Sequence, residues 1–162
     1  MTKWTFHNWT DGDPAQRVVS TDHAIELLME HTARHSYGIY VDYVHDERGA
    51  ISCSASAEFS SLSFCPTYDP ENHSLVGSRS ARRVKPAIKN PLKWVDSTGL
   101  ASFMPVDSVL PIKEVVRALK DIFDTHDFPA FIRWTDPVPE EEPAKPLTAG
   151  NLFGGMYPVR RK

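Results

Sequence analysis

The segment from Ser108 to Asp136 constrains the fold of this chain most, because it predicts a helix, a stop and a strand in direct succession. Pro111 lies where the first helical turn would begin, a position that tolerates a missing N–H and a fixed φ. Apolar residues then recur at the i, i+3, i+4 and i+7 spacing of one buried helix face. This face comprises Ile112, Val115, Val116, Leu119, Ile122 and Phe123.

The predicted helix ends near Asp124. Residues 125–127 have poor helix propensity, and Phe128 is disfavoured in the α region because Pro129 follows it. An apolar strand is then predicted from Ala130 to Trp134. We therefore expect an α+β domain over residues 1–136, in which a twisted, mainly antiparallel sheet carries two packed helices. Residues 137–162 are rich in Pro and Gly and predict an extended C-terminal tail, mobile or partly docked.

The first half of the chain predicts the other helix and most of the strands. The helix runs from Thr21 to near His35, with Ser20 or Thr21 as its N-cap. Residues 51–60 alternate between apolar side chains and mostly serine. This pattern predicts a strand with one buried face and one solvent-exposed (wet) face. The other predicted elements are a strand at 37–45, a short strand near Leu62 and Phe64, a loop at 69–90 and a hairpin joining Trp94-Val95 to Leu100–Met104.

Charge is distributed unevenly, although the net charge is only −3. Residues 1–73 carry eleven acidic and four basic side chains, whereas residues 74–95 carry six basic side chains and no acid. Such asymmetry indicates either interaction surfaces or two solvated faces. The basic segment 79–93 is a candidate for binding phosphates, but it lacks the interleaved aromatic residues that stack on bases.

The sequence composition also indicates the cellular compartment that we expect for this protein. No apolar run approaches the roughly 18 residues that span a bilayer, and the first residues lack the apolar centre of a signal peptide. We expect a cytoplasmic protein without membrane contact. Cys53 and Cys65 form no metal-binding pattern and are expected to be reduced core residues.

No group of residues carries a recognisable catalytic or metal-binding pattern. His31 and His35 have the i, i+4 spacing of two metal ligands, but no third ligand is indicated, and a polar helix face is the favoured interpretation. Cys65 and His73 suggest a nucleophile and a base only by sequence proximity, so structural burial of Cys65 is favoured. The acidic helix end at Asp121, Asp124, His126 and Asp127 is interpreted as a solvated surface. We expect no cofactor and no enzymatic activity.

The helix–stop–strand unit resembles immunity protein family 1 of bacterial polymorphic toxin systems. The resemblance covers roughly residues 20–135, and its specific part consists of Pro111, Leu119, Phe123, Pro129 and Trp134. Segment 77–93 and the tail after Asp136 have no clear counterpart in the family. The resemblance implies a protein that binds and neutralises a cognate toxin domain, often a nucleic-acid deaminase, without catalysis.

On this interpretation, acidic residues of the first half are the natural surface for a basic, nucleic-acid-processing toxin. The candidate toxin-binding residues are Asp42, Asp46, Glu47, Glu58, Asp69 and Glu71. Trp134 is expected to be a core residue rather than a binding hot spot, so Trp134→Ala is expected to cost roughly 3–5 kcal/mol of stability. Two other functions stay open: a nucleic-acid or regulatory binding module that uses residues 79–93, and a small enzyme without a known motif.

Overall fold

The structure is a computed structural model that describes residues 3–96 and 98–137. Of the predicted tail only Pro137 is described, and residues 138–162 lie outside this range. The two predicted helices are both present, as α1 (Thr21–Thr32) and α2 (Ile112–Thr125).

Local sequence signals set the ends of both helices. The Ser20 hydroxyl accepts a 3.1 Å hydrogen bond from the His23 N–H and so caps α1. Helix α1 ends at Thr32, three residues before the predicted end at His35. Helix α2 begins directly after Pro111. It ends at Thr125. The next residue, His126, caps the helix in a left-handed conformation with a φ of 57°, and its N–H bonds to the Ile122 carbonyl at 2.8 Å.

The strands form one large sheet and one small hairpin. The large sheet has the order β11-β10-β3-β4-β6-β9-β13, while β1 pairs along β3, and β5 and β12 extend it beside β4. The strand bounds are β1 (Trp4–Asn8), β2 (Gln16–Arg17), β3 (Gly38–His45), β4 (Ala50–Ala55), β5 (Phe59–Ser60), β6 (Ser63–Cys65), β7 (Thr67–Asp69), β8 (Ser74–Val76), β9 (Arg79–Arg82), β10 (Leu92–Val95), β11 (Ala101–Met104), β12 (Leu110–Pro111) and β13 (Arg133–Thr135).

Pairing in the described chain is antiparallel except between β10 and β3. Together with the two helices, this confirms the expected α+β class with a mainly antiparallel sheet. Strands β7 and β8 form the separate hairpin.

Both helices pack on one face of the sheet. Tyr43 of β3 is fully buried and donates its hydroxyl to the Ala24 carbonyl of α1 at 2.6 Å. Leu28 of α1 and Leu119 of α2 are fully buried in the same core. The odd-numbered residues of β3 point into this core, so its even-numbered residues point to the opposite face of the sheet.

Three predictions about the strands were wrong. Residues 79–82 were predicted as loop but form β9, which pairs with β6 and β13. The predicted strand at 130–134 starts only at Arg133, because the Ile132 N–H bonds to the Pro129 carbonyl at 3.3 Å and closes a turn. The long alternating strand ends at Ala55, and Ser54 on its predicted wet face is buried beside Ser61.

Candidate functional site

The sheet has a second face on which neither α1 nor α2 packs. We call it the helix-free face and define it by the even-numbered residues of β3 and their neighbours. Cross-strand register places His7 of β1 and Ser52 of β4 beside Asp42 on this face. Trp94 of β10 lies beside Tyr40, with ring centroids 5.3 Å apart.

Asp42 lies near the middle of the helix-free face and is half-buried. Its Oδ2 accepts a 2.7 Å hydrogen bond from the indole N–H of Trp9. Its Oδ1 is buried and has no hydrogen-bond partner of ordinary geometry within the described part of the chain, although the Tyr40 hydroxyl lies close enough to this carboxylate to interact with it. A buried carboxylate oxygen without a donor is costly, so a water, an ion or a donor from a partner is expected to bind it.

Aromatic side chains surround Asp42. The rings of Trp9 and His7 stack in parallel with centroids 5.0 Å apart, and Trp9 is 42% exposed. Burial, with the nearby Asp42 charge, raises the pKa of Tyr40 to about 12, so its hydroxyl stays protonated as a donor. Here an exposed Trp and a half-buried Tyr lie beside a carboxylate, and Trp and Tyr are enriched at the centres of protein interfaces.

Asp46 and Glu47 lie in the turn between β3 and β4, where each already has a cationic partner. Arg17 donates two hydrogen bonds to Asp46, at 2.9 and 3.1 Å, and these lower the pKa of Asp46 below its usual range. Lys3 donates to Glu47 and lowers its pKa in the same way. Both pairs are exposed to solvent, so each contributes little to stability.

Of the other three predicted acids, Asp69 and Glu71 lie at the β7–β8 turn and Glu58 lies elsewhere. Asp69 accepts from the Glu71 N–H at 2.9 Å and is also bound by Asn72, which lowers the Asp69 pKa. Glu58 lies between β4 and β5, at the end of β4 opposite to Asp46 and Glu47. The six predicted residues therefore do not form one patch. Asp42 lies within the helix-free face, and Asp46 lies at its edge, where it is bound by Arg17 from the position opposite Thr5 of β1.

The basic segment 79–93 is split by the fold. Arg79 in β9 lies over the Phe128 ring at 5.5 Å, while Lys93 in β10 lies over Tyr37 at 5.9 Å. Strands β9 and β10 are separated in the sheet by β3, β4 and β6. Four strand spacings of about 4.8 Å put these two ends about 19 Å apart. The segment thus does not form a continuous basic track.

The prediction that His31 and His35 lie on a polar helix face was wrong for His31, which is only 1% exposed. Its Nδ1 lies 2.8 Å from Asn8 Nδ2, and burial followed by the Arg34 charge lowers its pKa. His35 lies beyond the end of α1 and binds Asp11 at 2.6 Å instead. The i, i+4 spacing fails here because the helix ends at Thr32.

Asp11, Asp13 and His31 bring one ligand atom each within 4.8 Å of one another, a spacing that fits a metal ion. The guanidinium of Arg34 lies 2.6 Å from Asp13 and 3.7 Å from Asp11. Because Arg34 contacts both carboxylates and His35 also binds Asp11, the group is an ion-pair cluster that ties the loop before β2 to the end of α1.

Cys65 and His73 are not brought together. Cys65 is buried, and its Sγ contacts the carbonyls of Thr67 and Val76 at 3.3 and 3.1 Å. His73 lies in the β7–β8 turn beside the Tyr68 hydroxyl. Both cysteines are free and buried, as expected, and burial raises the pKa of Cys53 to about 12.

At the end of α2, one expected surface residue is partly buried. His126 packs against Trp4, His45 and Phe64, and its Nε2 lies 3.1 Å from the Pro66 carbonyl. Asp124 and Asp127 are exposed, as predicted for a solvated helix end. His126 is partly buried here. Its left-handed backbone ends α2, and its ring packs against the residues named above.

The residues that carry the family resemblance pack in or beside the core. Leu119 is fully buried, and Phe123 meets Trp4 edge-on at 5.1 Å. Pro111 pairs with β5 in front of α2. The buried Pro129 offers its carbonyl to the indole N–H of Trp134 at 3.0 Å, and Trp134 packs against Phe128.

Sequence reasoning missed Trp9, Tyr40 and Trp94 as members of one surface. The available signal was the alternation of Trp4, Phe6 and Asn8 with Thr5, His7 and Trp9. This alternation indicates a strand, but it does not identify the neighbouring strand. Pairing of β1 with β3, and of β10 with β3, brings the three aromatic residues together.

No protein-family model matches the chain, and no curated protein is significantly similar to it in sequence. Neither of the two helices in the described range is long and apolar enough to cross a membrane.

Proposed function

We propose that this protein is an immunity protein, which binds a cognate bacterial toxin domain and blocks its active site without catalysis. The toxin class is a nucleic-acid-targeting deaminase, and the site of action is the cytoplasm. Two lines of support bear on this proposal. One is the family resemblance of residues 108–136, and the other is the geometry of the helix-free face.

The observation that carries the proposal is the carboxylate of Asp42. One oxygen is bound by Trp9 and the other is buried without a donor of ordinary geometry in the described chain. A cationic side chain of a partner would supply that donor and would be held by a charge-assisted hydrogen bond. Enzymes that act on nucleic acids line their substrate path with such cations, so a carboxylate placed there competes with phosphate.

The surroundings of Asp42 fit a protein partner better than a small ligand. Trp9 and Val44 are 42% and 37% exposed, and Tyr40 and Trp94 extend the aromatic surface across β3 and β10. Rigid aromatic side chains around a desolvated charge are the usual composition of an interface centre. The carboxylates at Asp46, Glu47, Asp69 and Glu71 lie outside this centre and would act through long-range attraction of a basic partner.

The test has two steps. The neighbouring reading frame is inspected for a toxin domain, and binding of that domain is then measured by co-purification, by inhibition of deamination and by association kinetics. Asp42→Lys should weaken the complex at least about 100-fold, since it replaces the acceptor with a like charge inside the interface. Glu26→Lys is the matched control, because Glu26 is exposed on α1 in the opposite layer. Unfolding curves of both variants separate loss of binding from loss of fold.

The triple variant Asp42, Glu47 and Glu58 to Lys tests charge attraction in the same system. It should lower the association rate, and the decrease should shrink as salt is added. Unchanged binding by Asp42→Lys would reject the helix-free face. Absence of any complex with the toxin, together with retention on immobilised DNA at low salt, would reject the immunity function in favour of a nucleic-acid-binding module.

A further inference from the structure

A pocket of about 430 Å³ lies between the end of β9, the first half of α2 and the start of β13. Its size falls in the range of small-molecule sites. Five of the side chains that line it are basic and one is acidic. These are Arg82, Arg83, Lys85, Arg117, Arg133 and Glu114.

Only two of the five basic side chains are neutralised by a carboxylate. Arg82 binds Asp107 at 3.1 Å, and Arg83 binds Glu114. Among the described residues, no ion pair joins Lys85, Arg117 or Arg133 to an acid. The pocket thus holds an excess of three positive charges, and the three side chains that carry them are exposed to solvent.

Strand register adds a second, independent observation. Arg133 of β13 lies directly opposite Arg82 of β9 in the antiparallel pair. Asp107 already pairs with Arg82, so Arg133 is the uncompensated cation of this strand pair, and an anion bound in the pocket would supply its counter-charge.

The pocket is not uniformly polar. Leu110 and Ile132 are buried beneath it, and Phe131 is 36% exposed at its rim. The guanidinium of Arg117 lies 3.8 Å from the centre of the Phe131 ring, which fixes its plane through a cation–π contact. A guanidinium held in a fixed plane favours two parallel hydrogen bonds to a phosphate or carboxylate.

We propose that this pocket binds a phosphate monoester of nucleotide size, with the phosphate among Arg117, Arg133 and Lys85 and the organic part against Phe131 and Ile132. A dianionic phosphate matches the three unpaired cations and the bidentate geometry of arginine. An extended nucleic-acid strand fits less well, because Arg79 and Lys93 point to other parts of the fold and leave no track beyond the pocket. The site lies apart from Asp42 and does not depend on the immunity function.

The experiment is a titration of the full chain with adenosine monophosphate, inorganic phosphate and adenosine, followed by calorimetry and by NMR shifts. We expect adenosine monophosphate to bind at least about tenfold more tightly than phosphate, and adenosine to bind negligibly at about 1 mM. The Arg117→Gln/Arg133→Gln double variant should weaken binding at least about tenfold. Lys93→Gln is the matched control, since Lys93 lies on the opposite half of the sheet, and it should bind normally.

Three results would overturn the proposal. The first is no saturable binding of adenosine monophosphate, and the second is equal affinity for phosphate and the nucleotide. The third is tighter binding of a single-stranded oligonucleotide that Lys93→Gln weakens as much as the double variant. If the double variant proves unstable, Arg117→Lys keeps the charge but loses the planar fork, and it should still lower nucleotide affinity several-fold.

Discussion

The indole N–H of Trp9 donates a 2.7 Å hydrogen bond to Oδ2 of Asp42, from β1's C-terminal end to the middle of β3. This contact fixes the orientation of a carboxylate whose second oxygen is buried and has no hydrogen bond of ordinary geometry within the described chain. It therefore links the stability of the first strand to the chemistry of the helix-free face.

Trp9→Phe removes the donor and should lower the free energy of unfolding by about 1 kcal/mol. Asp42→Ala removes the acceptor of the same hydrogen bond and should also lower the free energy of unfolding. In the double variant the loss should be smaller than the sum of the single losses, since both act on one hydrogen bond. Urea unfolding of the three variants measures the coupling, and strictly additive values would show that the hydrogen bond contributes nothing.

Gly49→Ala should be severely destabilising. Its φ is +51°, and an added Cβ would lie 1.7 Å from the Cys65 carbonyl oxygen, where only backbone movement can make room. We expect a loss of at least about 3 kcal/mol from the clash and the strained φ. Gly12→Ala is the control, because Gly12 has a φ of +65° and open space around it. It should cost about 1 kcal/mol, and similar losses at both sites would contradict the close contact between the β3–β4 turn and Cys65.

Trp134→Ala should lower the free energy of unfolding by about 3 kcal/mol, the lower end of the range for truncating a large aromatic side chain in a core. The reason is that Trp134 is only partly buried, on the edge strand β13. Trp134→Phe keeps the ring contact with Phe128 and loses the hydrogen bond to the Pro129 carbonyl, so it should cost about 1 kcal/mol. Denaturant midpoints distinguish the two, and a negligible effect of Trp134→Ala would show that this strand does not support the core.

Stability should fall as the pH is lowered below about 6.5. Burial lowers the pKa of His31 and of His45, so the unfolded chain binds these protons more tightly than the folded protein does. The free energy of unfolding is therefore greatest above the unfolded pKa and is lost as the pH falls toward the folded values. His45 also accepts a 3.0 Å hydrogen bond from the Glu47 N–H, which protonation of Nδ1 would break.

Urea unfolding at about pH 7.5 and about pH 5.5 measures this dependence. His45→Gln should reduce the difference between the two conditions, whereas His73→Gln in the exposed β7–β8 turn should leave it unchanged. A stability that rises on acidification would show that these imidazoles are not buried as neutral groups.

Local sequence patterns were sufficient for the helices and for part of the sheet. The period of 3.6 from Ile112 to Phe123 predicted α2 to within a residue, and the expected hairpin forms with Trp94-Val95 paired to Ala101-Ser102. These elements were predictable because each depends on neighbours in sequence. Strand β9 was not, because residues 79–82 carry three polar side chains and become a strand only by pairing with β6 and β13.

The candidate sites show the same division. Sequence alone determined the charge asymmetry, the absence of a known catalytic motif, and the helix whose apolar face builds the core. Tertiary structure decided that the six predicted acids do not form one patch, that His31 is buried, and that Arg117 and Arg133 join Arg82, Arg83 and Lys85 in one pocket. The physical reason is the separation along the chain over which each interaction acts. Helix periodicity and capping act within a few residues, whereas the partner of Asp42 is 33 residues away in the chain and is chosen by strand register.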